Sequence, residues 1–378
     1  MQLNHSIIDF PHEKVGITGA TGTVAGVLIQ TLLEDFPQVE KITASARNLE
    51  SPKLKRLGDS PKLRMVEGEL HEVDMLKEIA QDSDVVFHLA AWLANLELPG
   101  VTEVFVTNTL ATGVLAEICK RQGCRMVFTS SHSIYFGGEY KGRIKEEGFE
   151  FREDFTTWME AVKPAYAELI DKIIAGNCPT GEIHDAVEDI HKEFPVPMDP
   201  LIYDRIDYHT YCITKLMGEE LALDRGAEVL RLSNVYGPGD ESVQAVAEAC
   251  HRIIAAKPGE QLQINQPFKK LVPVYMGDIL TCLLNASGRE YPEGLRPVFT
   301  VASQENYMRE DELLRTVAAA MNEIKEGETR YDIERLEDEE ETAFTYDTSK
   351  MQEYLLAGTE PTPFQKGVKE QLIWLMNR

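Results

Sequence analysis

The chain has 378 residues, 43% hydrophobic and 27% charged, enough for one large α/β domain with an appendage or for two domains. Its formal net charge of −25 repels nucleic acid and anionic membrane surfaces, which leaves small-molecule chemistry as the favoured class. Six cysteines (Cys119, Cys124, Cys178, Cys212, Cys250 and Cys282) lie far apart with no C-x-x-C, the pattern of reduced thiols and not of a disulfide framework or zinc ribbon. The start, MQLNHSIIDFPHEK, lacks a basic stretch followed by an apolar one, and nowhere do 18 consecutive apolar residues occur, so the expectation is a soluble cytoplasmic protein.

From Lys14 onward, short apolar runs alternate with amphipathic stretches: KVGITG, a helix from about Thr23 to Glu34, then VEKITASA, LRMVEG, DVVFHLA and RMVFTSS. Continuous apolar strands separated by helices mean a parallel sheet covered on both faces. A further helix over about 208–225 leads to the strand EVLRLSN, which completes a doubly wound layout. Two regions break the alternation. Residues 140–205 carry two helical pieces, near 155–175 and 180–193, closed by the proline cluster PVPMDP, and read as an insertion. Beyond Pro238 the pattern is mixed, with helices near 241–256, 277–287 and 309–323, the strand PVFTVAS and the acidic tract LEDEEE, a solvated surface.

GITGATGTVAG leaves a strand and enters a helix, the context in which a glycine pattern points to a phosphate site. Gly19 permits the tight turn, Gly22 lets the backbone approach a pyrophosphate, and the leading N–H groups of the helix face the negative charge. Ala25, with Gly26 beside it, fills the third glycine position with a small residue. An acidic residue after the second strand would bind the ribose of NAD, whereas TASARN offers Arg47, which can pair with a 2′-phosphate. The expected cofactor is therefore NADP, with NAD as the alternative.

The spacing Tyr-x-x-x-Lys occurs twice, at Tyr211–Lys215 and Tyr346–Lys350. On a helix such a pair shares one face. Alone the spacing is weak, and its surroundings must choose. Those surroundings run TGATGTVA at 18–25, EL at 69–70, HLAA at 88–91, Asn108, FTSSHSIYFG at 128–137, YCITK at 211–215, RLSNVYGPG at 231–239 and VYMGDI at 274–279. In that order they resemble the extended short-chain dehydrogenase/reductases, the NAD-dependent epimerase/dehydratase superfamily, over about 12–280 without the insertion.

The resemblance implies a Rossmann-type sheet over 12–235 that also uses about 268–300. It further implies a helical insertion over 140–205 and a smaller mixed α/β substrate-binding subdomain over 236–267 and 301–378. It implies Ser131, Tyr211 and Lys215 as catalytic residues, with the tyrosine exchanging a proton while hydride passes to or from a nicotinamide. A phenol with a pKa near ~10 needs a neighbouring cation for that task. Cofactor contacts are expected from Gly19, Thr21, Gly22, Thr23, Val24, Arg47, Glu69, Leu70, Leu89, Ala90, Ala91, Asn108, Tyr211, Lys215 and Ser233, and substrate contacts from Ser131, His132 and Asn234. Partners are expected to be a small molecule and a second copy, in a homodimer through the helix bearing Tyr211.

Departures narrow the activity. Sugar-nucleotide dehydratases of this kind place an Asp-Glu pair where this chain has His132 and Ser133, so water elimination lacks its acid and base. In FKKLVPVYMGD, Lys269 and Lys270 stand near, not at, the position of a diphosphate-gripping arginine, and Tyr275 replaces a histidine. The expected activity is interconversion of a secondary alcohol and a ketone, with a nucleotide-sugar epimerase as the alternative. The insertion, set between Ser131 and Tyr211, is expected to act as a lid over the substrate mouth or as an oligomer contact. No metal site is expected: His184, Glu188 and His191 share a helical face but read as a solvated one.

Overall fold

A computed structural model describes residues 3, 5–7, 10–94, 97–137, 142–146, 149–197, 206–240, 244–265, 271–303, 308–326, 331–334, 336 and 344–378. Chain order begins β1 (Lys14–Thr18), α1 (Thr23–Asp35), β2 (Lys41–Ala46), β3 (Leu63–Glu67), α2 (Val73–Ala80) and β4 (Val85–His88). A helical run follows as α3 (Val101–Val104), a π-helical turn (Phe105–Leu110) and α4 (Ala111–Gln122), and then β5 (Arg125–Ser131). The insertion holds β6 (Gly142–Ile144), α5 (Glu153–Ile174) and α6 (Ile183–Glu193), and the chain returns through α7 (Ile206–Leu223), β7 (Glu228–Leu232) and β8 (Asn234–Tyr236). The rest comprises α8 (Ala245–Ala255), β9 (Gln261–Leu262), β10 (Pro273–Tyr275), α9 (Met276–Gly288), β11 (Val298–Val301), α10 (Glu310–Ile324), β12 (Asp332–Ile333), β13 (Phe344–Tyr346), α11 (Ser349–Leu355) and α12 (Phe364–Met376).

Seven parallel strands form one sheet in the order β11-β7-β5-β4-β1-β2-β3. Strand order reverses between β1 and β4, and a crevice opens at the carboxyl ends of the strands there. The strands are apolar on both faces because helices cover both: β4 is wholly buried and β1 is buried after Lys14. Gly16 admits α2 closely, since a Cβ at that position would stand 2.6 Å from the Ile79 carbonyl oxygen. The expected doubly wound sheet is present.

The long helix of the insertion packs on the flank of the sheet domain. Phe155, Trp158, Met159, Val162, Tyr166, Leu169, Ile170 and Ile173 recur along α5 at three- and four-residue spacing, and this face is buried in the same core as Leu115, Leu216 and Met217 of α4 and α7. At Gly113 a Cβ would stand 2.6 Å from Ile170 Cδ1, so the helices meet at close range. Residues 198–205, which carry part of PVPMDP, lie outside the described residues.

The C-terminal residues divide between two cores. Residues 349–356 do not join the small subdomain: Met351, Leu355 and Leu356 are buried with Leu283 and Phe299 in the sheet's own core. The subdomain core is built by α8, α10 and α12, with Val246, Leu314, Val317 and Val368 among its buried residues. Among the described residues, Val101–Gln122 is the one helical run long and apolar enough to cross a membrane, with a mean hydropathy of 1.2, and 72% of its most apolar window is buried inside the fold.

Candidate active site

A cleft of about 330 Å3 opens at the carboxyl ends of β1, β4, β5 and β7. Its floor begins at the glycine turn. Gly19 has φ +79°, and a Cβ there would press on Ala90 at 3.0 Å, so both the backbone angle and the close approach of the β4 loop demand glycine. Gly22 N donates to Gly19 O at 2.8 Å, closing the turn. Helix α1 then starts without a side-chain cap and without an acidic residue in its first turn, which leaves its N-terminal dipole directed at the cleft. Thr18 braces the opposite loop: its hydroxyl accepts from the Leu89 and Ala90 N–H groups, both at 3.1 Å, and meets His88 Nδ1 at 2.8 Å.

Helix α7 presents Tyr208, Tyr211 and Lys215 on one face, and all three line the cleft. Burial pushes the Tyr211 pKa up to about 12, while the neighbouring Ser131 side chain pulls it down. Lys215 Nζ donates to Thr129 O at 2.6 Å and lies 4.1 Å from the centre of the Phe128 ring. Burial lowers the Lys215 pKa to about 7, against the pull of Glu219 one turn on. Ser131 Oγ also accepts from Ser133 N at 3.1 Å. A serine, a tyrosine and a lysine with two strongly shifted pKa values thus meet in one crevice, which marks a reactive site.

The helix is held at this angle by a buried network outside the cleft. Arg231 of β7 donates through Nε to Glu219 Oε2 at 3.1 Å and through Nη1 to the Tyr135 hydroxyl at 3.0 Å, and Tyr135 meets Thr300 Oγ1 at 2.6 Å. The Arg231 and Glu219 side chains are 3% and 0% exposed, so the pair links α7 to β7 in a dry interior. Neither the arginine nor the glutamate was singled out by its local sequence.

Of the expected cofactor residues, Gly22, Thr23, Val24, Leu89, Ala91 and Ser233 line the cleft with Tyr211 and Lys215, as do the expected substrate residues Ser131, His132 and Asn234. Gly19 and Ala90 lie behind it as mutual packing partners. Thr21, Arg47 and Glu69 stand outside its walls, Thr21 half-buried and the other two exposed. Leu70 turns its side chain into the core, which leaves its main chain for any ligand. Asn108 is 1% exposed, and its amide is committed to the Trp92 backbone, at 2.8 Å and 3.1 Å, and to Thr214 Oγ1 at 3.2 Å. It ties the cleft loop to α7 and does not face the cleft. Asn234 Oδ1 accepts from Val272 N at 3.0 Å and so also pins β8 to its neighbour.

Several residues at the site went unread in the sequence. Tyr208 is hydrogen-bonded to Ser133, and burial raises its pKa. Its place one helical turn before Tyr211 was the available signal. Arg56 reaches back to the glycine turn, where Nη2 donates to Gly22 O at 2.6 Å. His132, the expected substrate residue, is half-buried and neutral, its pKa lowered to about 4 by desolvation, with Nδ1 2.8 Å from the Tyr346 hydroxyl. Lys269 and Lys270 lie outside the described residues. Tyr275 is buried against Tyr236 with its hydroxyl on Glu370, and it does not line the cleft.

The residues present fit a dinucleotide. The glycine cradle has no room for a Cβ at Gly19, the helix start above it is uncapped, and the buried hydroxyls of Ser130 and Ser233 have no partner among the described residues although both line the cleft. Fold and site together define a Rossmann-type dinucleotide-binding protein with the Ser–Tyr–Lys set of a short-chain dehydrogenase/reductase. Residues 17–256 match the NAD-binding family described as male sterility protein, and the chain belongs to that family within the extended short-chain dehydrogenase/reductases.

D-erythronate dehydrogenase of Haemophilus influenzae is 32% identical over 136 residues, 33% of this chain and 40% of that one. A 3 beta-hydroxysteroid dehydrogenase/Delta 5→4-isomerase of Mycobacterium tuberculosis is 28% identical over 132 residues, 33% and 34% of the two chains. The chain spans well under half the length of these curated relatives. Among solved structures, a UDP-glucose 4-epimerase of Thermotoga maritima with UDP-glucose superposes with a TM-score of 0.61 at 18% identity, covering 96% of this chain and 99% of that one. A dTDP-glucose 4,6-dehydratase of Bacillus anthracis in complex with NAD gives 0.63 at 16%, with 97% of each chain covered. At such identities the likeness is one of fold.

Proposed function

We propose that this protein is an NADP(H)-dependent oxidoreductase that interconverts a secondary alcohol and a ketone on a small or medium-sized metabolite, with Tyr211 as the acid/base. The observation that carries the reading is the convergence of Ser131, Tyr211 and Lys215 on one cleft, where the serine side chain pulls the Tyr211 pKa down against burial. A bound nicotinamide cofactor supplies or accepts the hydride. Everything else falls to the chain. The two hydroxyls converge on one point, where they hold a carbonyl oxygen and polarise it. With its pKa raised to about 12, Tyr211 stands protonated at neutral pH and is poised to give its proton to that oxygen as the carbon is reduced. Lys215 balances the phenolate left behind: its ammonium is half-formed near pH 7 and sits one helical turn away. In the oxidative direction the same phenolate takes the alcohol proton.

His132 and Ser133 occupy the positions where elimination would need a pair of carboxyl groups, and neither residue carries one. The preference for a 2′-phosphate rests on Arg47, exposed at the end of β2 with no ion pair among the described residues, and on Arg56 beside Gly22. The test is turnover of NADPH and NADH with a panel of ketones. Stoichiometric oxidation of NADPH is expected, and Arg47→Ala should weaken NADPH about 10- to 100-fold, the worth of a charge-assisted contact, while leaving NADH unchanged. Equal loss for both cofactors removes the NADP assignment. Substrate conversion with a retained cofactor and no net oxidation removes the reductase in favour of an epimerase. We also place the protein in the cytoplasm, on its six free cysteines, four of them buried.

A further inference from the structure

Away from the cleft, three side chains from three separate stretches converge: His71 in the turn after β3, Glu103 in α3 and His184 in α6. One donor atom of each lies within 4.8 Å of the other two. The two imidazoles stand edge to face with centroids 5.3 Å apart, and His184 Nε2 meets Glu103 Oε2 at 2.5 Å. Thr107, one turn beyond Glu103, donates to the other carboxylate oxygen, Oε1, at 3.3 Å. That contact turns Oε2 toward the histidines. The three residues that share a face of α6 do not gather around one point: half-buried His191 lies 2.9 Å from the Tyr166 hydroxyl and 4.2 Å from the Phe105 ring, and Glu188 pairs with Lys192.

We propose that His71, Glu103 and His184 form a zinc site that fastens the insertion to the dinucleotide-binding half of the molecule. An ion pair between Glu103 and His184 needs no second imidazole. The added His71 nitrogen completes an N2O donor set, which suits zinc with water in the fourth position and does not suit calcium or magnesium, which take oxygen donors. Zinc holds such donors at about 2.0–2.2 Å, which sets them about 3.4 Å apart around a tetrahedral ion, so the touching His184 and Glu103 atoms must part slightly to admit it while His71 closes in. Thr107 plays the part of an outer group that orients a ligand. All four residues are half-buried, which leaves a path for the ion.

The consequence falls on α6. Only Ile183 and Val187 of its eleven residues are fully buried, with Ala186 and Ile190 packed partly against the core, so the polar cluster adds a second hold on α3. His71 directly follows Glu69 and Leu70, and the ion therefore ties the insertion to the turn beyond the third strand.

The test uses the full chain, stripped with a chelator and dialysed against micromolar Zn2+. One zinc per chain is expected by elemental analysis, with cobalt giving the visible absorption of a low-symmetry site. His71→Ala, Glu103→Gln and His184→Ala should each weaken zinc by at least about 100-fold, and the shape-preserving Thr107→Val by about 10-fold. Far-UV circular dichroism equal to that of the parent shows that each variant folds, and His71 lies in a surface turn where loss of the ring leaves the backbone intact. Zinc uptake below about one-tenth per chain, or uptake that Glu103→Gln and His71→Ala leave unchanged, overturns the proposal.

Discussion

Two regions of the molecule carry a tyrosine followed four residues later by a lysine, and they use the spacing in opposite ways. In α7 both residues lie on one helix, so their side chains leave the same face and enter the same cleft. At 346–350 the tyrosine ends β13 and the lysine begins α11. The two part company there. The Tyr346 hydroxyl goes to His132, and Lys350 Nζ goes to the Arg296 carbonyl at 2.8 Å, 5.2 Å from the centre of the Phe299 ring. Spacing makes a site only when one continuous helix spans it and its exposed face looks into a crevice. The second region still matters to the first, because Tyr346 packs on the histidine beside Ser131.

The sharpest way to break this contrast is to remove the α7 hydroxyl. Tyr211→Phe should lower turnover by about 10²- to 10⁴-fold, the range for a lost general acid, with cofactor affinity retained by titration. Turnover within tenfold of the parent would end the assignment of Tyr211. Next in size is the network that sets the angle of α7. Arg231→Leu leaves Glu219 buried without its partner and should cost about 3–5 kcal/mol in urea unfolding. A loss under 1 kcal/mol would show that α7 is held by its apolar contacts alone.

Acid should then separate the two regions. Burial holds His88 at about 3 and His132 at about 4, both below the ordinary 6.5 of an unfolded imidazole. The unfolded chain therefore binds more protons once the pH drops below 6.5. Stability is full above that value and is lost at about 1.4 kcal/mol per pH unit per histidine, down to pH 4 for His132 and pH 3 for His88. His132→Gln should flatten melting temperature against pH over 6.5 to 4, with the His88 contribution remaining. An unchanged slope would mean that the His132 imidazole is solvated. The smallest expected effect is that of Tyr346→Phe, about 1 kcal/mol in stability from one lost hydrogen bond and turnover within about threefold, measured beside Tyr211→Phe in one assay.

What the sequence made legible was local. The glycine turn, the buried strands, α7 and α5 announce themselves through short spacings and apolar periodicity, and the ends of α1, α5 and α7 fall within about two residues of expectation. Long-range placement was hidden. Nothing near Arg231 names Glu219, nothing in the basic run before Gly58 shows that Arg56 folds back on Gly22, and nothing in α11 says that Met351 rejoins the sheet's core. The insertion shows the same limit: its place in the chain, between Ser131 and Tyr211, points to the cleft, while the packing of the apolar stripe of α5 against α4 and α7 was not legible.

The widened turn at Phe105–Leu110 has a geometric consequence. An α-helical turn advances 3.6 residues, and a π-turn accommodates one more, so this short stretch stores an azimuthal offset of about 100° between the helix on either side of it. Deleting one residue from 105–110 would wind that offset out. The half-turn carrying Glu103 would swing away from α6, while the segment bearing Thr112, which meets His88 Nε2 at 2.9 Å, would stay fixed by the sheet. One surplus peptide unit thus works as an angular shim, aiming one end of a single rod at the insertion and the other at the heart of the fold.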